Sequence, residues 1–472
     1  MSTPLHVAIA SVDLSAVKRH VLTRECHVPD DRGEYPVHLV AGYSPSSLAE
    51  ANRMYAIASL VIEATDAAAF AVPDRCGHTP LRIAVGENLA WLSVDTQQRV
   101  VDLLARAAPE AASVLCKGET AMHAAAQEGD DDAIRQLVHR APGAALVPDA
   151  YEHRTPLSMA MGHGYAGCTR HLLAEAAALE MTDKRGETPL KTVAMLASSL
   201  VGQIVSGDMR EDDECPEDAV AWLRDCLDVM HVALSSIDTS LARRHAAEIH
   251  DVAGMESLRA SQGDDADMSA YVPPMCAAAM VGDSQLIETI LNLHPAAVRA
   301  ACELHGATPL HYACAGGDED IARLLLVMWP EAVHFQTSTT GEHPVHWAFS
   351  ARPESAAAIV RALHASCPDV LLQRDEDGWT PLVLAIRAGD ADLVRFVVSA
   401  APGCVDLEDA LGCHALWYAP HEPNEARTEV IVQTIAAVAD PVAVWRPTHG
   451  NFTLLHASAK AGNVAHINSL IK

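Results

Sequence analysis

The sequence predicts an all-α solenoid of stacked helix–turn–helix units with loop insertions, about 12–13 units long. Three observations predict it. A short phrase, Thr-Pro-Leu-His-x-Ala or a worn form of it, recurs along the chain, and its copies start 33 to 39 residues apart over long runs. Glycines stand at two fixed offsets from the phrase. Half of the 472 residues are hydrophobic but only 4% are aromatic, so the core is built from Ala, Leu, Val and Ile, which suits closely packed helices better than sheets.

The clearest copies are Thr3-Pro4-Leu5-His6 and Thr308-Pro309-Leu310-His311. Close variants start at Thr79, Thr120, Thr155, Thr188 and Thr380, and worn ones at Tyr35, Pro273, His343, His414 and Thr453. A Gly follows nine residues after the phrase start at Gly129, Gly164, Gly282, Gly317, Gly389 and Gly462. Another precedes it by two at Gly33, Gly77, Gly118, Gly186, Gly306, Gly341, Gly378 and Gly412.

Each element of one unit has a local cause, seen over 306–330. Gly306 allows a positive φ at the loop tip. Thr308 is an N-cap and Pro309 sits at the first helical position, where a missing N–H costs nothing. Leu310, Tyr312, Ala313 and Cys314 begin a short inner helix that Gly317 ends. Asp318, Glu319 and Asp320 open the outer helix, where negative charge suits the helix dipole. Leu324, Leu325 and Met328 form its expected apolar stripe, and Trp329-Pro330 stops it. The same X-Pro ending recurs at Pro109, Pro142, Pro295, Pro368, Pro402 and Pro441.

Phrase, period and glycine offsets together resemble the ankyrin repeat family over nearly the whole chain, apart from a gap near 195–270. The X-Pro ending departs from the family's usual Gly-Ala-Asp type turn. The resemblance implies that the phrase histidines His6, His38, His123, His311, His346 and His456 bond to backbone between neighbouring repeats rather than to a metal. It also implies a protein-binding surface, at the loop tip before each phrase and at the end of each inner helix on the concave face. Carried over by position, the partner-binding candidates are Glu119, Gln127, Glu128, Arg154, His163, Glu187, Glu342, Trp379 and Arg387. Ala307 and Cys413 also occupy tip positions. Trp379 is the strongest candidate, because a Trp at an exposed tip either packs on a neighbour or anchors a partner.

The chain divides into about six repeats over 1–198, an acidic insertion with one degenerate repeat over 199–270, and about six repeats over 271–472. Longer steps point to insertions near 42–47 and 86–98, of the kind that lengthen loops. A worn unit is expected to start at Thr239. The run from Glu211 to Asp218 holds six carboxylates and reads as a solvated loop. Its functional alternatives are a docking loop for a basic partner or a weak Ca²⁺ site, although EF-hand spacing is absent.

Against 33 Lys+Arg stand 62 Asp+Glu, a formal net charge of −29. That excludes nonspecific nucleic-acid binding and attachment to an anionic membrane face. The start lacks a basic and an apolar region, so it does not read as a signal peptide, and the most apolar stretches are too short to span a bilayer. The 12 cysteines form no CxxC pair and read as reduced buried thiols. The 25 histidines imply a charge that changes between about pH 5 and 8. No phosphate loop, dinucleotide fingerprint, zinc-protease or nucleophile-elbow motif is present. The resulting expectation is a cytoplasmic, monomeric, non-enzymatic scaffold or adaptor, with the nucleus or a host cytosol as other compartments. It needs no cofactor and no metal, and it binds a protein with a basic surface. The alternative is a structural or regulatory repeat segment of a longer multidomain protein.

Overall fold

A computed structural model describes residues 3–23, 25–43, 45–85, 94–206, 216–251, 254–255, 271–302, 305–421, 425–439 and 453–461. These residues are helical for the most part. The β pairing among them consists of two isolated bridges, Cys116 with Glu119 and Glu408 with His414. The fold is an all-α repeat solenoid. The chain splits into two compact units, Met1–Leu196 with Asp228–His245, and Ala197–Leu227 with Ala246–Lys472. The 199–270 segment is thus shared between them.

Inner helices begin at the phrase, with its Pro first: Pro4–Ala10, Pro36–Ala41, Pro80–Val85, Pro156–Gly162, Pro309–Gly316, Pro344–Trp347 and Pro381–Arg387. Ala121–Glu128 starts at the same position without Pro. Gly129, Gly282 and Gly317 cap their helices in the left-handed conformation, which only glycine adopts at little cost. An Asp then opens the outer helix. Asp13, Asp130, Asp283, Asp318 and Asp390 each accept from one or two first-turn backbone N–H groups that have no intrahelical partner.

The apolar stripe of the outer helix Glu319–Met328 differs from the sequence expectation. Ile321, Ala322, Leu325 and Leu326 are buried, whereas Leu324 is half-buried and Met328 is 44% exposed. The helix is apolar beyond its buried face, so composition alone does not locate that face.

The recurrent prolines do more than stop the outer helix. Each opens a single 3-10 turn: Pro109–Ser113, Pro142–Leu146, Pro295–Arg299, Pro330–His334, Pro368–Leu372 and Pro402–Asp406. The residue before it is pushed out of the helical region, as at Trp329 with φ −147° and ψ 81°. The turn then drives a residue pair into the core: Ala111 and Ala112, Ala297 and Val298, Val370 and Leu371, Cys404 and Val405. Pro441 lies outside the described residues.

The two insertions lengthen helices as well as loops. Leu48–Ala64 is a 17-residue outer helix capped by Ser47. Residues 94–98 of the second insertion belong to the 14-residue helix Val94–Ala107, while 86–93 lie outside the described residues. Where the phrase series breaks, the 18-residue Pro189–Ser206 and the 21-residue Pro216–Ser236 replace short helices. The worn unit is represented by the helix Thr239–Ile249, with the Ser240 amide donating to the Asp238 carboxylate. In the second unit this helix is tied to the next repeat: the Tyr271 hydroxyl donates to the Ile249 carbonyl (2.6 Å), and the Met275 amide donates to His250 Nε2 (3.3 Å).

Candidate partner-binding surface

Several of the loops before the phrases are tight turns, each held by its own Asp. Asp30, Asp149, Asp183, Asp375 and Asp409 accept backbone N–H groups from the turn that follows them. A tip glycine sits inside most of these turns at positive φ, +79° at Gly378, and His153 takes that place before Thr155 at +57°. Adjacent loops are joined by backbone hydrogen bonds. Ala150 donates to Gly118, Lys184 to Glu152, Ser338 to His305, Glu376 to Thr340 and Ala410 to Asp377, at 2.7–3.0 Å.

The phrase histidines complete this framework. The Thr120 amide donates to His123 Nδ1 (3.2 Å), and the His123 Nε2 lies 2.9 Å from the Arg154 carbonyl in the next repeat. An amide can only donate, so Nδ1 is the acceptor and the proton sits on Nε2, which donates to the carbonyl. The same pair of bonds recurs at His6 to Glu34, His38 to Val72, His311 to Glu342 and His346 to Trp379. Burial disfavours the charged imidazole, with His311 pushed down to about 3 and His38, His123 and His346 also lowered. They are struts between repeats. Among the described residues no group of three or more His, Cys, Asp or Glu side chains is placed to hold a metal ion.

The struts grip the backbone of the tip residues, and that settles where several candidate side chains go. Arg154, Glu342 and Trp379 are anchored by their carbonyls and half-buried. Glu119 is half-buried too, but Arg82 stands where its strut would be, and only the Cys116 amide donates to its carbonyl (2.7 Å). Glu187 is 3% exposed, which is at odds with a tip side chain open to a partner. Burial and the nearby Asp183 raise its carboxyl. Ala307 and Cys413 are buried as well. Gln127, Glu128, His163 and Arg387, at the ends of inner helices, are exposed.

Glu342, Trp379 and Arg387 belong to two side-chain groups in the second unit, one around Trp347 and one around Trp379. Trp347 Nε1 donates to the Glu342 carboxylate at 3.0 Å. The Trp347 ring meets the edges of Tyr312 and His311, each at 5.4 Å. Trp379 is not the bare exposed tip that its position suggests. Its amide donates to Asp375 at 2.7 Å, its ring packs edge-on against Tyr418 at 5.8 Å, and the Arg387 guanidinium lies 4.3 Å over its face. Tyr418 in turn donates to Asp409. Sequence reasoning missed Trp347 and Tyr418. The signal was present: Tyr312, Trp347 and Tyr418 each stand four residues after a phrase start, in a chain with few aromatics.

In the first unit, His163 stacks on Tyr165 at 5.9 Å. An open groove of about 350 Å³ lies between the outer-helix ends, lined by Arg135, Val138, His139, Pro142, His171 and Glu175. None of the candidate residues lines it. The described cysteines are free thiols, buried apart from the exposed Cys76 and the half-buried Cys367. No helix among the described residues is long and apolar enough to cross a membrane. Residues 211–215 of the acidic run lie outside the described residues.

Comparison with known proteins matches the repeats directly. A model of three consecutive ankyrin repeats matches residues 274–367, and the single-repeat model matches 117–148 and 377–410. No curated protein matches the chain in sequence. A structure of an ankyrin repeat domain from Acinetobacter baumannii is 24% identical, with a TM-score of 0.36, covering 42% of this chain and 96% of that one. A predatory endopeptidase of Bdellovibrio bacteriovorus in complex with an immunity protein is 21% identical, with a TM-score of 0.35, covering 42% and 96%.

Proposed function

The chain is an ankyrin repeat-containing protein, and from that premise we propose that it is a non-enzymatic scaffold or adaptor that binds a protein partner through its loop tips and inner-helix ends. Ankyrin repeats are generally protein–protein interaction modules. The observation that carries the reading is a pair of side-chain groups on consecutive repeats, Glu342 with Trp347 and Trp379 with Arg387 and Tyr418. Trp, Tyr and Arg are the residue types that dominate binding energy when they are held rigidly at the centre of an interface. Here the rings are held by neighbours, so little conformational freedom remains to be lost on binding.

Charge supports a basic partner. Residues 271–421 hold 18 Asp+Glu against seven arginines and no lysine. Such a field speeds encounter with a cationic surface and weakens as salt rises. Glu119, Gln127, Glu128, Arg154 and His163 make up a proposed surface of the first unit. Glu187 contributes only to the scaffold.

The test is affinity capture from cell lysate, comparing the native chain with a folded Trp347→Ala, Trp379→Ala, Glu342→Lys variant at low and high salt. A protein held by the native chain, lost by the variant and released by salt is the expected result. Equal capture by both chains would remove this surface from consideration. No capture by either would favour a structural segment whose activity lies elsewhere.

A further inference from the structure

The second unit carries seven arginines in residues 271–421, and most are already engaged. Arg323 and Arg395 pair with Glu319 and Asp392 on their own helices. Arg374 donates to the Glu408 carbonyl. Arg299 and Arg361 lie over Trp329 and Phe396, aromatics of the outer helices and the turns after them. Arg352 is exposed just before the outer helix Pro353–Ser366. Arg387 is different in place. It ends an inner helix, is exposed, and is held 4.3 Å over the Trp379 ring. Its guanidinium makes no hydrogen bond or ion pair with any described residue.

The nearby carboxylates do not serve as its partner. Asp375 accepts the Trp379 amide, Asp409 accepts the Tyr418 hydroxyl and the Leu411 and Cys413 amides, and Glu342 accepts Trp347 Nε1 and the Thr340 hydroxyl. A guanidinium stacked on an aromatic face keeps its N–H edge free and fixed in direction, and that edge matches the two oxygens of a carboxylate.

We propose that Arg387, positioned by Trp379, is a specificity residue that takes an Asp or Glu carboxylate of the bound protein segment. This inference rests on the reading of the surface as a protein-binding face. The two levels differ in chemistry. The surrounding acidic field attracts a basic segment, and the Arg387 guanidinium selects, within it, a segment with one acidic residue at the register of Trp379. A segment carrying only Lys and Arg there would leave Arg387 facing a like charge, which adds discrimination without adding affinity.

The test uses random twelve-residue peptides displayed on phage and selected on the full chain, then on the Arg387→Gln and Trp379→Ala variants. The expected result is a Lys/Arg-rich consensus with one fixed Asp or Glu, which Arg387→Gln no longer selects. A synthetic consensus peptide with that residue changed to Gln should bind at least tenfold more weakly to the native chain and equally to Arg387→Gln. The same peptide with phosphoserine there should bind no better than the Glu form; tighter binding would overturn the carboxylate assignment. Basic peptides selected in a Trp379-dependent way but without an acidic position would overturn this inference and leave the proposed surface standing. If no selected peptide depends on Trp379, the surface itself fails, and the inference with it.

Discussion

In the repeat that starts at Thr308, His311 accepts the Thr308 amide and donates to the Glu342 carbonyl of the next repeat. In the repeat that starts at Thr155, Ser158 stands in its place and reaches only as far as the Thr155 hydroxyl, at 3.3 Å. Both are entered through a tight turn, the Thr155 repeat through one held by Asp149 with His153 at positive φ, the Thr308 repeat through one closed by the Cys302 backbone with Gly306 at positive φ, and both loops are joined to a neighbour's backbone. What the histidine adds is one long strut to the carbonyl of the following tip. Repeats differ in how firmly that tip is fixed, and the two aromatic groups follow two consecutive struts, His311 to Glu342 and His346 to Trp379.

The largest effect is expected where the strut is removed. His311→Ala leaves a buried amide and a carbonyl without their partner and should cost about 2–5 kcal/mol. Ser158→Ala should cost at most about 1 kcal/mol, because only a local bond is lost. Urea denaturation of both variants measures the difference, and equal losses would break the comparison.

Next come the tip glycines. A Cβ at Gly378 would lie 2.7 Å from Arg374 Nη2 and 2.9 Å from the Asp409 Cα, in addition to its positive φ. At Gly186, also at positive φ, a Cβ meets nothing within 4 Å. Gly378→Ala should therefore cost about 2–4 kcal/mol and Gly186→Ala about 1–2. Thermal melts of the pair resolve the backbone contribution from the crowding.

A smaller loss should follow acidification. His311 is lowered to about 3 and His343 to about 4, both by burial first, against an ordinary value of 6.5. The unfolded chain therefore binds protons that the folded chain refuses. The stability these groups contribute is complete above about pH 6.5 and is lost as pH falls through about 4 and 3. Between pH 7 and pH 5 each such histidine should remove about 2 kcal/mol. The denaturant midpoint should fall over that range, and His311→Ala should flatten the fall. Least of all, Met328→Ala should change stability by less than about 0.5 kcal/mol, since its side chain lies off the buried face.

How much of this was legible in the sequence depends on how local each cause is. Pro309 at the first helical position, Gly317 at the helix end and Gly378 at the tip answer demands of a single residue's backbone, so the phrase and the glycine offsets led straight to the repeats. The 3-10 turn after Pro330 was not legible in the same way, because it rests on burying Ala332 and Val333 against a neighbouring repeat. The outer stripe of Glu319–Met328 was misplaced because Val327 and Met328 are apolar yet exposed. The tips were legible as positions but not as surfaces. Whether Glu187 points out or in is decided by its neighbours, and Trp379 is half-covered by residues 8 and 39 positions further on, Arg387 and Tyr418.

The most direct measurement of the strut account is the long-range ¹H–¹⁵N spectrum of the histidine side chains, recorded from pH 7.5 down to pH 5. The account predicts that His311 stays neutral throughout that range, that His123 and His346 charge only below the ordinary imidazole value, and that all three carry the proton on Nε2 while neutral. Imidazoles that charge near pH 6.5, or that carry their proton on Nδ1, would contradict it.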